Sequence, residues 1–328
     1  MICGNDDLIA NARNGDLGKV RDLLQEGANV NAKDSGGNTA LSWACFKKHS
    51  DVAIEILKRD NVDLNAKDTG GRTALYLACN ARLPDVALEI LKRVDVDAHA
   101  KDSIGLTALH WACEQKLPNV AMEILKKDNL DVNAKDSRGR TALILACCAE
   151  LSDVALEILK RDTMDVNAKD EDGWTALYWA CWLRLQDVAL EILKRDNVDV
   201  NTKDDMGVTA FIRACRNGLS DVALEILKRD TMDVNAKDKD GCTPLYWACY
   251  QRLPDVALEI LKRDNVDINA KNDDEITALD VARKFEQSVI VRHLAEYPER
   301  QKNRDTQRFK ERLRRNKTRS NQAFGGDD

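Results

Sequence analysis

The sequence predicts an all-α repeat fold, a solenoid of roughly nine stacked units of 34 residues, each a helix-turn-helix followed by a β-hairpin-like turn. Three observations predict it. Residues 153–170 read DVALEILKRDTMDVNAKD, and residues 221–238 read the same eighteen letters again. A catalytic site is written once, so a verbatim copy is expected of a structural unit that was multiplied. The threonine of TAL or its variants recurs at 39, 73, 107, 141, 175, 209, 243 and 277, always 34 residues apart. A fixed period in the range of about 20–50 residues marks a repeat architecture. Within each period, two short apolar segments of helical spacing alternate with turn chemistry.

The elements follow in order inside one period. KDSGGNT (33–39) carries the Asp and Gly of a tight turn. TALSWACFK (39–47) opens on a threonine suited to an N-cap, and Leu41, Ala44 and Cys45 share a helical face. After a short turn, DVAIEILKR (51–59) forms a second helix whose Lys58 and Arg59 suit the negative end of the helix dipole. DNVDLNA (60–66) then runs extended into the next turn. A unit this small buries little apolar surface alone and must stack on its neighbours.

The repeat resembles the ankyrin family. DKDGCTPLYWAC (238–249) and DSIGLTALHWAC (102–113) match the family motif D-x-x-G-x-T-P-L-H-x-A-A, and GANVNA (27–32) nearly keeps its trailing G-A-D-V-N-A. The resemblance covers residues 5–297, with departures: the motif Pro is mostly Ala, and its His is kept only at His110, with Tyr76, Tyr178 and Tyr246 in the same place. Family units usually run 33 residues, and the extra residue here falls after the second helix. The glycine that ends that helix is also lost, so another arrangement must satisfy its last carbonyls. The array is expected over 1–298: a first capping unit at 5–33, seven full units over 34–271, and a last capping unit at 272–297. In that last unit Asp280, Arg283 and Lys284 replace mostly apolar predecessors.

No catalytic site, metal site or cofactor is expected. Ten cysteines suggest redox or metal chemistry, but Cys45, Cys79, Cys113, Cys147, Cys181, Cys215 and Cys249 share one slot, the second Ala of the family's A-A. These are expected to be small buried apolar residues, with Cys3, Cys148 and Cys242 outside the ladder and more reactive. No zinc-type spacing is present, and the four histidines fall in different units. DTG at 68–70 and DSGG at 34–37 echo protease loops but lie in the turn slot that every unit fills with D-x-x-G or a near variant.

If shared residues build the stack, differing residues carry its function. The resemblance implies that partners meet the second, third and fifth turn positions and the two residues after A-A. On that basis the partner-binding set is Trp174, Trp182, Leu183, Arg140, Met206, Arg216, Tyr250 and Phe46. Trp174 and Trp182 share one unit and are its centre, because Trp is enriched in binding hot spots. Packing of the two rings on each other is the alternative. Trp43, Trp111, Trp179 and Trp247, alternating with Leu77, Leu145 and Arg213, are expected to be packing residues of the first helix.

Charge divides the chain into an acidic body and a basic end: residues 1–299 carry a net −12 and residues 300–328 a net +6. After Pro298, residues 299–328 are read as a solvated, disordered tail. A nuclear-import or acidic-partner site, and a helix packed on the last repeat, are the alternatives. The ten residues MICGNDDLIA lack the basic start and apolar core of a secretory signal, and no run of 18 apolar residues exists. The expectation is a cytoplasmic or nuclear, non-enzymatic scaffold that binds a protein partner on the concave face, with no membrane contact and no small-molecule substrate. The runner-up is a nuclear or chromatin-associated adaptor whose tail, over 300–319, binds acidic partners or nucleic acid.

Overall fold

The computed structural model describes residues 3–127 and 130–323. Two compact units divide the chain, Met1–Asp199 and Val200–Asp328. The first holds α1 (Cys3–Asn14), α2 (Leu17–Gln25), α3 (Ala40–Phe46), α4 (Ser50–Leu57), α5 (Ala74–Asn80), α6 (Pro84–Leu91), α7 (Ala108–Glu114), α8 (Pro118–Leu125), α9 (Ala142–Cys148), α10 (Ser152–Leu159), α11 (Ala176–Trp182) and α12 (Gln186–Leu193). The second holds α13 (Ala210–Arg216), α14 (Ser220–Leu227), α15 (Pro244–Tyr250), α16 (Pro254–Ile260), α17 (Ala278–Lys284) and α18 (Ser288–Ala323). The architecture is the all-α repeat solenoid expected from the period. The turns carry only isolated antiparallel bridges among the described residues, such as Lys169–Thr175 and Lys271–Thr277.

Each short first helix is held at both ends. Thr39 is extended, and its Oγ1 accepts the Ser42 amide at 3.2 Å, closing the N-terminus of α3. Thr73, Thr107, Thr141 and Thr175 repeat the cap in the first unit, and Thr209, Thr243 and Thr277 in the second. At the C-terminus the chain turns through one left-handed residue, Lys48 at φ 65° after α3. Its amide donates to the Cys45 carbonyl at 3.1 Å, and that of His49 donates to Ala44 at 2.9 Å. These two bonds are a Schellman motif, built here without glycine. Arg82, Lys116, Glu150 and Arg184 take the same conformation in later repeats.

The second helix ends in two different ways. In the first repeat Gly27, at φ 88°, makes a Schellman end, with the Ala28 amide on the Leu23 carbonyl at 3.0 Å. Later repeats lack that glycine, and a cation from the following repeat reaches back instead. Lys127 Nζ donates to the carbonyls of Leu91 (3.0 Å) and Arg93 (3.1 Å). Arg161 donates to Leu125, Arg195 to Leu159, and Arg263 in the second unit to Leu227. The 34-residue repeat thus replaces a local cap with an inter-repeat one, which also ties layer to layer.

An asparagine ladder adds a second tie. Asn31 donates to the Asn61 carbonyl at 2.7 Å and accepts the Asp63 amide at 2.8 Å. Asn65, Asn133 and Asn167 repeat the pair, as do Asn201 and Asn235 in the second unit. His99 interrupts the ladder: its Nδ1 is buried without a hydrogen-bond partner, and Lys101 pairs with Asp131 at 2.9 Å beside it.

His110 is a satisfied core histidine. Its Nε2–H donates to the Ala134 carbonyl at 3.0 Å, so Nδ1 is the acceptor, taking the Thr107 amide at 3.2 Å. Burial lowers its pKa below the ordinary histidine value. The unfolded chain then takes up the proton first, so this contribution to stability is complete above the unfolded pKa of about 6.5 and is lost as pH falls below it. Comparing urea unfolding at pH 7.5 and 5.5 for wild type and His110→Tyr, the residue at this slot in Tyr76, Tyr178 and Tyr246, is expected to show a smaller acid loss in the variant.

The seven ladder cysteines are buried. Burial pushes the Cys45, Cys113 and Cys249 thiols up to about 12, which keeps them protonated and unreactive at neutral pH. The expectation of greater reactivity outside the ladder fails for two residues. Cys242 is buried and Cys148 half-buried, and burial pushes their thiols up to about 11 and 12. The side chain of Cys3 lies outside the described residues.

The chain after Pro298 differs from the disordered tail read from sequence. Helix α18 continues through Pro298 to Ala323, and residues 324–328 lie outside the described part. Proline has no N–H for the carbonyl four residues back, but the helix is held by polar ties to the end of α16. Tyr297 Oη donates to the Arg263 carbonyl at 2.8 Å, Gln301 to the Asp264 carbonyl at 3.0 Å, and Arg304 to the Lys262 carbonyl at 3.1 Å. A count of apolar residues misses contacts of this kind. They repeat, for the last second helix, the inter-repeat capping that Arg263 performs one layer earlier.

Candidate functional site

The turn aspartate organises every candidate surface. Asp170 Oδ1 accepts the amides of Asp172 (3.2 Å) and Trp174 (2.8 Å), and Oδ2 accepts Trp179 Nε1 at 3.1 Å. The backbone of Trp174 is therefore fixed by the turn. In the two repeats with leucine at that helix position, arginine at turn position five takes its place: Arg72 Nε lies 2.7 Å from Asp68, and Arg140 Nε 2.7 Å from Asp136. Trp43 and Trp247 bond Asp34 (2.7 Å) and Asp238 (2.9 Å) as Trp179 does. At Asp102 Oδ2, Tyr76 Oη donates at 2.7 Å, and the Trp111 indole N–H is buried without a partner. The tryptophan series expected to pack thus also bonds the turns. The protease-like DTG and DSGG are the same device: Asp68 and Asp34 spend their oxygens on their own loops.

In the first unit the structure brings Trp174 and Trp182 together, with ring centroids 5.2 Å apart. Trp174 also stacks on Tyr178 at 5.2 Å and meets Trp179 edge-on at 4.6 Å. Four rings from one repeat form a continuous aromatic surface. Tyr178 is buried, Trp174 and Trp179 are half-buried, and Trp182 is 40% exposed. Leu183, the C-cap of α11, is half-buried beside them. Arg140 is committed to Asp136 and lies 3.5 Å from Glu114. Phe46 is separate: it is 46% exposed, edge-on to Trp43 at 5.7 Å, with Lys47 and Arg72 over its ring.

In the second unit Met206 is 41% exposed at turn position three, and Arg216 lies 4.8 Å above the Trp247 ring. Tyr250 is 45% exposed, stacked on Tyr246 at 6.3 Å and edge-on to Phe285 at 5.6 Å. Phe285 and Ile276 complete that surface and were missed by the sequence reading. Both sit in the degenerate last unit, where motif register is weakest; Ile276 holds the same turn position as Trp174 and was the available signal.

Among the described residues no cluster of three or more His, Cys, Asp or Glu side chains could hold a metal, and no helix is long and apolar enough to cross a membrane. No curated protein matches the chain. A sequence model of ankyrin repeats (three copies) matches residues 8–102, 85–170, 109–204, 190–272 and 212–306 in overlapping blocks. Ankyrin repeats generally mediate protein–protein interactions. Those blocks run over the same Thr-capped, Asp-turned helix pairs seen in both units, and the chain belongs to the ankyrin repeat family.

Proposed function

We propose that the chain is a non-enzymatic scaffold that binds a protein partner on the concave face of its repeats. The observation that carries this reading is the four-ring surface of the first unit, which leaves Trp182 exposed at its edge. Exposed aromatic clusters of this kind are characteristic of interfaces, where Trp, Tyr and Arg dominate the binding energy. Trp174, Trp182 and Leu183 form its centre, with Arg140 and Phe46 on the same unit. Met206, Arg216 and Tyr250 offer a second set on the other unit. Affinity capture from cell extract with wild type and the Trp174→Ala/Trp182→Ala double variant tests it. A partner retained by the wild type and lost by the variant is expected; equal capture by both would remove the site.

A second reading rests on α18. Beyond Arg304, which is tied to the Lys262 carbonyl, the sequence carries Arg308, Lys310, Arg312, Arg314, Arg315, Lys317 and Arg319 against Glu311 and Asp305. A basic helix of this kind suits nucleic acid or an acidic protein in the nucleus. Deleting residues 306–328 keeps the capping contacts. If this reading holds, the deletion abolishes a salt-dependent affinity for duplex DNA; binding that is absent in the full chain would sink it.

A further inference from the structure

The second helices of the first unit present one outer face five times. In α4 the side turned away from the buried Val52, Ala53 and Ile56 carries a half-buried large apolar residue, Ile54. Leu88, Met122, Leu156 and Leu190 repeat it in α6, α8, α10 and α12. Beside it a half-buried glutamate pairs with an exposed lysine one turn on, as Glu89 with Lys92 at 2.5 Å and Glu157 with Lys160 at 2.6 Å. In the same repeats the slot after the ladder cysteine reads Phe46, Asn80, Glu114, Cys148 and Trp182, five different residues. Exposed ion pairs contribute little to stability, so stacking does not explain why Lys58, Lys92, Lys126, Lys160 and Lys194 are all the same. Differing residues suit a partner that is met once. Identical exposed residues in every layer suit a partner that is itself repeated at the layer spacing.

The charges are antisymmetric about the apolar row. Ahead of it come an exposed loop cation, Lys48, Arg82, Lys116 or Arg184, and then an exposed acid, Asp51, Asp85, Asp153 or Asp187. Behind it come the exposed lysine and then an exposed loop acid, Asp60, Asp95, Asp162 or Asp196. Glu150 and Asn119 are the exceptions in the first two rows. At α4, Lys48, Lys58 and Arg59 balance Asp51, Glu55 and Asp60, and the equivalent residues balance at α6 and α12. The face is thus close to neutral and polarised across its width. A two-fold axis parallel to the stack sets lysine rows on acid rows, loop cations on loop acids and apolar row on apolar row. A two-fold across the stack sets like charges together.

We propose that this face is an isologous interface between two copies of the chain, related by a two-fold axis along the first unit. Five helices with their flanking loop residues, each about 15–18 Å long and stacked about 8–10 Å apart, offer roughly 600–900 Å² per copy, the scale of a specific interface. The pair uses none of the Trp174–Trp182 slots and leaves the turns and first helices of both copies open, so it presents two partner surfaces.

The test is sedimentation equilibrium of the full chain. The wild-type mass is expected to rise reversibly from one copy to two as concentration passes through the micromolar range, and raising salt should weaken the dimer. Lys92→Glu/Lys160→Glu/Lys194→Glu makes both charged rows acidic on three helices, and Asp85→Lys/Asp153→Lys/Asp187→Lys makes both basic. All six changes are at exposed positions, and circular dichroism should show the wild-type helix content in both variants. Each variant alone should weaken the dimer on the order of tenfold or more, and an equal mixture of the two should restore it as a mixed pair. Trp174→Ala/Trp182→Ala should leave the mass unchanged, which separates failure of this interface from failure of the partner surface. A wild type that stays monomeric overturns the proposal whatever the variants do. So do folded variants that dimerise as well as wild type or fail to pair when mixed. Association abolished by deleting residues 306–328 also overturns it, because the basic end of α18 would then be what joins the copies.

Discussion

Phe211→Ala is expected to cost about 3–5 kcal/mol in denaturant unfolding. The aromatic ring is 1% exposed and is the largest fully buried side chain among the described residues. It occupies the slot that other repeats fill with Leu41, Leu75, Leu109, Leu143, Leu177 and Leu245. Alanine there removes both the apolar contact and the filler of a space the short helices α13 and α14 cannot close, since each is fixed by its neighbours. Phe211→Leu supplies the residue of the sister repeats and should cost less than about 1.5 kcal/mol. Equal losses for the two variants would show that this slot is not a packed core position. Since the repeats of a stack are coupled only to their neighbours, the loss should appear as early unfolding of the second unit.

The second large effect is expected from Gly105→Ala. Gly105 has φ +86°, a conformation that costs a side-chain-bearing residue about 1–3 kcal/mol. The added Cβ would also lie 2.8 Å from the Lys135 carbonyl oxygen, a backbone atom at the entry to the next turn that cannot turn aside. The same approach recurs at Gly37, Gly71, Gly139, Gly207 and Gly241, each against the backbone of the following turn. The last unit supplies the control. Its residue at this position is Glu275, at φ 63°, and residues 298–328 carry no repeat motif. The glycine is thus demanded by stacking as well as by the turn itself. Gly105→Ala should lower stability by at least about 2 kcal/mol, whereas Glu275→Ala should change it by less than about 0.5 kcal/mol. A Gly105 variant as stable as wild type would mean that consecutive turns do not meet.

Much of this architecture was readable in the sequence because its determinants are local. Thr39 to Ser42 is a three-residue cap, Asp34 to Asn38 a five-residue loop, and the apolar face of α4 follows helical spacing. The period exposed the register of all of them at once. What escaped was non-local. Arg161 reaches Leu125 across 36 residues and Asn31 reaches Asn61 across 30, and neither pair has a pattern inside its own segment. Lys58 and Arg59 read as dipole partners because nothing within their own segment points to another acceptor. The arginines of later repeats, at the position of Arg59, work instead on the preceding layer. The residues after Pro298 read as a solvated tail because the ties that hold α18, from Tyr297, Gln301 and Arg304, are polar and point at carbonyls outside their own segment. The pairing of Trp174 with Trp182 followed from their slots. That Trp174 would meet three rings at once did not, because Trp179 belongs to the series expected to pack within the first helix.

That stacking separates the two tryptophans. Trp174 supports Tyr178, Trp179 and Trp182 and lies over the turn held by Asp170, so its truncation is expected to lower both stability and binding. Trp182 lies at the exposed end of α11 and gives the cleaner separation. If repeated residues build the stack while differing residues bind, Trp182 should carry affinity without carrying stability. The most direct test is one preparation of Trp182→Ala, measured for melting temperature and for affinity toward the partner captured by the wild type. A loss of about 2 kcal/mol or more in binding is expected, with a fall of only a few degrees in melting temperature. Unchanged affinity with a fall of many degrees would contradict it and return Trp182 to the packed core.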